Sequence, residues 1–359
     1  MQLVLDQEQQ ELRSAVRGLL AEHAPPQRVR ELAEADGHDA RLWRRLSAEL
    51  GVTGLVVPEE HGGAGAGHVE RAVVLEELGR ALAPVPFLAS AVLATDVLLA
   101  LDDTAAQAEL LPAMVSGELV AAVAWDQESV PSATRRDGAW VVDGRARRVV
   151  SGDIADVVLV QATTGQGTAW FRVRGEHVAR TPLRTLDPTR RLVDLDFAAA
   201  PAEPLSTSDP DAVRARVRDL AAVALSAEQL GGMARVLEMT AEYAKVRVQF
   251  GRAIGSFQGV KHRLADMCCA LEQAEAAVRY AAWAADAAAE ELPLAAALVQ
   301  VLVAPATFQA AADTVQLHGG IGYTWEHDAH LYYKRAKTSE LLLGTPDQNR
   351  ARLADLLQV

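Results

Sequence analysis

Three groupings of residues in this chain invite a chemical reading, and each has a plainer alternative. Gly62-Gly63-Ala64-Gly65-Ala66-Gly67 follows the apolar run Gly54 to Val57 and precedes a helical pattern. Glycines in that setting can cradle a dinucleotide phosphate. The spacing is not G-x-G-x-x-G, Pro58-Glu59-Glu60 intervenes, and no strand–helix–strand repeat follows, so the stretch reads as a flexible surface loop. His327 and His330, beside Glu326 and Asp328, have the i, i+3 spacing that sets two imidazoles on one helical face toward a metal. No third and fourth ligand follow at suitable spacing, which leaves exposed polar residues or interface contacts. Serine nucleophiles have no G-x-S-x-G elbow here. Cys268 and Cys269 are adjacent on a helical pattern, where neighbours point about 100° apart. A disulfide between them would be strained, and they read as buried structural thiols of a reducing compartment.

The elements around these residues change period twice. Leu12, Val16, Leu19 and Leu20 share one face of a 3.6-residue repeat that Pro25-Pro26 ends. Helical patterns follow over Leu42 to Leu50, Val69 to Leu82, Phe87 to Leu101 and Thr104 to Val115. Short apolar and β-branched runs then predict strands at 119–125, 140–144, 157–160, 169–173 and 192–197, spaced as in a compact β-barrel or sandwich. From Asp211 the helical period returns in long stretches punctuated by Pro293 and Gly319-Gly320, with a last helix after Pro346. The predicted organisation is a helical domain over 1–118, a β domain over 119–209 and a helical bundle over 210–359. Long helices with apolar faces suit an antiparallel bundle whose packing extends into an oligomer interface.

Composition narrows the partners. Of 359 residues, 50% are apolar and 23% charged, which supports a sizeable core. A net charge of −13 argues against nucleic acid, because neutralising phosphates needs clustered Lys and Arg. The start, Met1-Gln2-Leu3-Val4-Leu5-Asp6, has no basic and then apolar leader, and no uncharged apolar run of membrane-spanning length stands out. A cytoplasmic protein without membrane insertion is expected.

Four further segments occur in a fixed order: Pro58-Glu59-Glu60-His61-Gly62-Gly63; Arg247-Val248-Gln249-Phe250-Gly251-Arg252 with Gly255-Ser256-Phe257-Gln258; Gln316-Leu317-His318-Gly319-Gly320-Ile321-Gly322-Tyr323; and Tyr333-Lys334-Arg335-Ala336-Lys337 with Leu343-Gly344-Thr345. Together they resemble the acyl-CoA dehydrogenase family over nearly the whole chain. The resemblance implies an α+β fold of N-terminal helical domain, middle β-barrel and C-terminal four-helix bundle, with FAD as cofactor and an acyl-CoA or other acyl thioester as substrate. In that chemistry a carboxylate removes the α-proton while the flavin accepts a hydride from the β-carbon. It further implies that Arg247 meets the FAD pyrophosphate, that Phe250 and Gln258 lie beside the cofactor, and that Gln316, Gly319 and Gly320 lie near its adenosine and pyrophosphate. A guanidinium suits the first role because it is a permanent, planar fork of donors.

The departures from the family are as informative. One family base precedes Gly-Thr near the C-terminus, where this chain has Leu343; the alternative base position is Ala221, with Ala222 in place of its neighbouring arginine. Asp219 and Glu340 are nearby carboxylates, displaced by two or three residues and so rotated off the required helical face. In the middle domain the Thr-Glu-Pro and Gly-Ser-Asp motifs are missing around Ala124-Trp125-Asp126-Gln127-Glu128-Ser129, and Arg148 stands where an aromatic residue flanks the flavin. In the family the Arg247 and Gln316-to-Gly320 segments, kept here, reach a neighbour's FAD across the dimer, whereas the base and the middle-domain motif, lost here, serve a subunit's own site. The chain thus resembles the heteromeric α/β-paired branch known from sterol side-chain breakdown, with a partner subunit that carries the base. A self-sufficient homo-oligomer using Asp219 or Glu340, a silent structural subunit and a flavin-dependent oxygenase are the alternatives.

Overall fold

The structure, a computed structural model, describes residues 3–35, 37–125 and 129–359. The chain opens with helices α1 (Gln7–His23), α2 (Pro26–Glu34), α3 (Ala40–Ala48) and α4 (His68–Ala81), then a π-helical stretch Phe87–Ala94 running into α5 (Thr95–Ala100), and α6 (Thr104–Val115). Seven strands follow: β1 (Ala121–Ala124), β2 (Ser132–Arg136), β3 (Ala139–Val150), β4 (Val157–Thr164), β5 (Gly167–Arg174), β6 (Ala179–Pro182) and β7 (Leu192–Leu205). The last part holds α7 (Pro210–Val246), a hairpin of β8 (Val248–Gln249) and β9 (Arg252–Ala253), then α8 (Gln258–Ala287), α9 (Leu292–His318), α10 (Ala329–Leu342) and α11 (Pro346–Leu357). Helical ends, β middle and the fold class expected of the sequence are therefore present.

Local chemistry explains the boundaries. Asp6 and Gln9 form a reciprocal capping box on α1, and Thr345 and Gln348 form another on α11. Asp39 and Asp103 accept from the first-turn amides of α3 and α6. Pro25-Pro26 ends α1, but Pro26 also starts α2, because its fixed φ suits a first helical turn.

Contacts group the chain into two compact units that do not follow chain order: 1–31, 68–83 and 222–359 in one, 32–67 and 84–221 in the other. In the first, α1 packs on α4, α4 on α8, α8 on α9, and α9 on α10 and α11. Two features stiffen it. Glu76, 6% exposed, accepts from Arg279 and from Arg13 at 2.8 Å, while Glu77 accepts from Arg17 at 2.7 Å. A Cβ on Gly79 would overlap the Glu228 carbonyl oxygen and one on Gly231 would overlap that of Glu76, so α4 and α7 touch backbone to backbone.

Helix α9 corrects one expectation. It is long and apolar enough to cross a membrane by length and composition. More than half of its most apolar window is nevertheless buried, under α8, α10 and α11, as suits the central helix of a bundle.

In the second unit the strands pair β4–β5–β7–β3–β2, and a single bridge, Ser132 to Thr163, returns β2 to β4 and closes a small barrel. Alternate side chains such as Val142, Val160, Phe171 and Leu195 fill it. The glycine run 62–67 lies at the surface but is pinned: Ala64, Gly65 and Ala66 donate to the carbonyls of Gly54, Val57 and Leu55 at 3.0, 2.9 and 2.7 Å. Cys268 and Cys269 are free and exposed on α8, not buried. The outer face of that half-helix buries only Met267 among its neighbours, so composition alone misassigned them.

Candidate functional site

The Arg247 segment is built where α7 runs out. The Arg247 N–H still donates to the Tyr243 carbonyl at 2.9 Å, and its own carbonyl accepts from Ile254 N–H at 2.8 Å. Between these bonds β8 and β9 pair Gln249 with Arg252, so Phe250-Gly251 is a two-residue turn. Both turn residues have left-handed backbone, φ 53° and 76°, the geometry that matches the twist of a hairpin. Glycine adopts it freely, whereas for phenylalanine it costs about 1–3 kcal/mol. Burial among the described residues does not offset that cost, since Phe250 is 90% exposed; its ring pairs edge-to-face with Phe257, centroids 6.1 Å apart. Strain held at an exposed aromatic is a mark of function. Gln258, exposed, is the first residue of α8. The exposed Arg247 guanidinium has no hydrogen bond or ion pair among the described residues.

The second segment is the end of α9. Gln316 is exposed, and Gly319 leaves the helix with φ 62°. A Cβ built on Gly319 or Gly320 would meet nothing within 4 Å. His318, 3% exposed, donates from Nδ1 to the Thr314 carbonyl at 2.7 Å. Its ring stacks on Tyr243 at 4.4 Å and 23°, and its other neighbour is the His327 ring at 4.4 Å. The Tyr243 hydroxyl donates to the His318 carbonyl at 3.4 Å. This contact ties the end of α7 to the end of α9. Arg247, Phe250 and Gln258 thereby share one end of the bundle with Gln316, Gly319 and Gly320.

The arrangement fits an anionic nucleotide. It offers an unpaired permanent cation, two exposed amides and a stretch of backbone that a ligand can approach closely. Apolar side chains adjacent in sequence to the two segments, Val246, Val248, Ile321, Tyr323 and Trp325, are all exposed, the last two at 76%. Sequence reasoning quoted His318 inside its motif but gave it no role; Tyr243 it missed. The only signal was position, Tyr243 one turn before Arg247 and His318 directly before the glycine pair.

The residues expected to matter for proton removal sit differently. Leu343 is half-buried at the end of α10, and Ala221 is fully buried in α7. Neither has a group that accepts a proton. Glu340 is buried and accepts from Lys337 Nζ at 2.6 Å. Asp219 is 3% exposed, on the part of α7 that belongs to the second unit. Asp126, Gln127 and Glu128 lie outside the described residues. Arg148 is exposed on a bulge where β3 slips against β7, with φ 57° and its N–H on Asp194 Oδ1 at 3.0 Å. His327 and His330 are half-buried, and no cluster among the described residues could hold a metal.

Comparison with known proteins identifies the family. Residues 6–118 match the acyl-CoA dehydrogenase N-terminal domain and residues 218–357 the acyl-CoA dehydrogenase C-terminal domain. Acyl-CoA dehydrogenase IpdE2 of Mycobacterium tuberculosis is 43% identical over 97% of this chain and 96% of its own length. The ChsE4–ChsE5 complex of the same organism contains a chain 31% identical, with TM-score 0.92, covering all of this chain and 99% of that one. A steroid ACAD, Tcur3481–Tcur3483, gives 32% identity and TM-score 0.89 over 98% of each chain. Butyryl-CoA dehydrogenase of Megasphaera elsdenii, at 21% identity and TM-score 0.92, shares the fold. Matched at both ends by its domain families and along its length by such relatives, the chain belongs to the acyl-CoA dehydrogenases, a family of FAD-dependent oxidoreductases.

Proposed function

We propose that this chain is the smaller subunit of a heteromeric, cytoplasmic acyl-CoA dehydrogenase and completes an FAD site seated mainly in a partner subunit. The observation that carries the reading is the pairing of an outward, unpaired Arg247 with expected base positions held by Leu343 and Ala221. FAD, when bound, supplies the acceptor for the hydride leaving the acyl β-carbon. This chain's part is to bind and orient. Arg247 grips the pyrophosphate, Phe250 walls off water beside the cofactor, and Gln258 and Gln316 present amides. Gly319 and Gly320 let backbone approach the nucleotide. The α-proton leaves to a carboxylate of the partner.

Relatives support the heteromeric reading: ChsE4–ChsE5 is a complex, and Tcur3481–Tcur3483 is a steroid ACAD whose name joins two gene products. A steroid-derived acyl thioester is the substrate class these names suggest. The self-sufficient alternative is less favoured because Glu340 is engaged by Lys337 and Asp219 is buried. The test is dye reduction by acyl-CoA with the chain alone, the partner alone and the two co-expressed. Activity confined to the pair supports the proposal; full turnover by the isolated chain contradicts it.

A further inference from the structure

The ring cluster Tyr243–His318–His327 has no role in the chemistry above, yet together with the Thr240–Thr314 hydrogen bond it links the two helices that carry the halves of the nucleotide cradle. The structure assigns it a positioning role: we propose that the cluster is a proton-sensitive latch which holds Arg247 in register with Gly319-Gly320, and that protonating His318 opens it. The inference rests on the reading that these residues face FAD.

Geometry carries it. His318 stacks on Tyr243 of α7 at 23° and meets His327 of the α9–α10 connection at a tilt of 49°, both centroids 4.4 Å away. Its Nδ1–H is spent on the Thr314 carbonyl, and its Nε2 is buried without a partner. A second proton would therefore sit on a nitrogen that neither water nor an acceptor reaches, between two rings. Among the described residues no carboxylate bonds to it from α7, from α9 or from the connection. The groups facing it are the Tyr243 ring and hydroxyl, the Thr314 carbonyl and His327. His327 faces Asp328, Arg30 of α2 and His330; Arg30 is held by Asp328. His330 faces Lys334 and the Trp325 ring.

Burial, the main cause in each case, holds all three imidazoles below their ordinary titration range. The sign follows. A base whose folded pKa is depressed binds fewer protons in the closed state than in the opened one. The latch is fully closed above the ordinary imidazole value of about 6.5 and loosens as pH falls below it.

The experiment uses the intact complex with its partner, as wild type, His318→Phe and His318→Ala. Two readouts run from about pH 8 to pH 5.5: free FAD fluorescence, and amide exchange of residues 243–258 and 316–327, corrected for the intrinsic pH dependence of exchange. In wild type both should rise together on acidification, by up to about tenfold at pH 5.5, one unit below the ordinary imidazole value of about 6.5. His318→Phe keeps the ring contact with Tyr243 and cannot titrate at that position, so the acid midpoint should move to lower pH in both readouts, where only His327 and His330 still titrate. His318→Ala should show the opened exchange pattern already at pH 8. An unchanged acid midpoint in His318→Phe, or wild-type exchange in His318→Ala, overturns the latch and leaves the cofactor reading standing. Exchange behaving as stated in a complex that never holds flavin upholds the latch and removes the cofactor reading instead.

Discussion

Two pairs of glycines, at two places in one helical unit, have opposite reasons to exist. Gly79 and Gly231 lie where α4 meets α7, and each is a glycine because a carbonyl oxygen of the other helix occupies the space of a Cβ. Gly319 and Gly320 end α9 in open space, where an added Cβ would meet no neighbour, although Gly319 also needs its left-handed φ of 62°. The charges divide in the same way. Glu76, Arg279, Arg13, Glu228 and Arg335 are matched inside the bundle, whereas Arg247 stands unmatched at its end. Features that packing explains belong to the fold; those it leaves unexplained face something else. The proposed cradle rests on that contrast.

The contrast can be broken at several points. The largest effect is expected from Glu76→Ala, which leaves the buried Arg279 guanidinium with only the more exposed Glu275 at 3.2 Å and should cost about 3 kcal/mol. Chemical denaturation of the chain reads it directly. Gly231→Ala forces α4 and α7 apart and should cost about 1–3 kcal/mol or more by the same measurement. Arg247→Ala should leave unfolding unchanged but weaken flavin retention in the complex. One charge-assisted hydrogen bond is worth roughly 1.5–3 kcal/mol, or about ten- to a hundredfold in the dissociation constant. Arg247→Lys should recover only part, because an ammonium lacks the planar fork. The smallest effect on folding is expected from Gly320→Ala, within about 0.5 kcal/mol by denaturation. If Gly320→Ala unfolded the chain as Gly231→Ala should, the two pairs would be alike and the contrast would fail.

Much of the fold is legible in the sequence because long helices announce themselves by period. The α–β–α order, the span of α7 and the helix after Pro346 follow from that signal. What is not legible lacks it. β2, Ser132–Arg136, has one buried residue in five and β6, Ala179–Pro182, has none, so neither shows an apolar alternation. The π-helical stretch Phe87–Ala94 is buried throughout and apolar all round, and periodicity cannot separate such a run from an ordinary helix. Of the site, motif matching alone named Arg247, Phe250, Gln258, Gln316, Gly319 and Gly320. That two distant segments meet through Tyr243 and His318 is a long-range contact that no local pattern encodes.

The shared-site account is tested most directly by counting flavin. The purified chain, the purified partner and their complex are each denatured, and released FAD is quantified against protein by absorbance. The account predicts a colourless isolated chain and a yellow complex with one FAD for each pair of subunits. An isolated chain that retains one FAD of its own would contradict it.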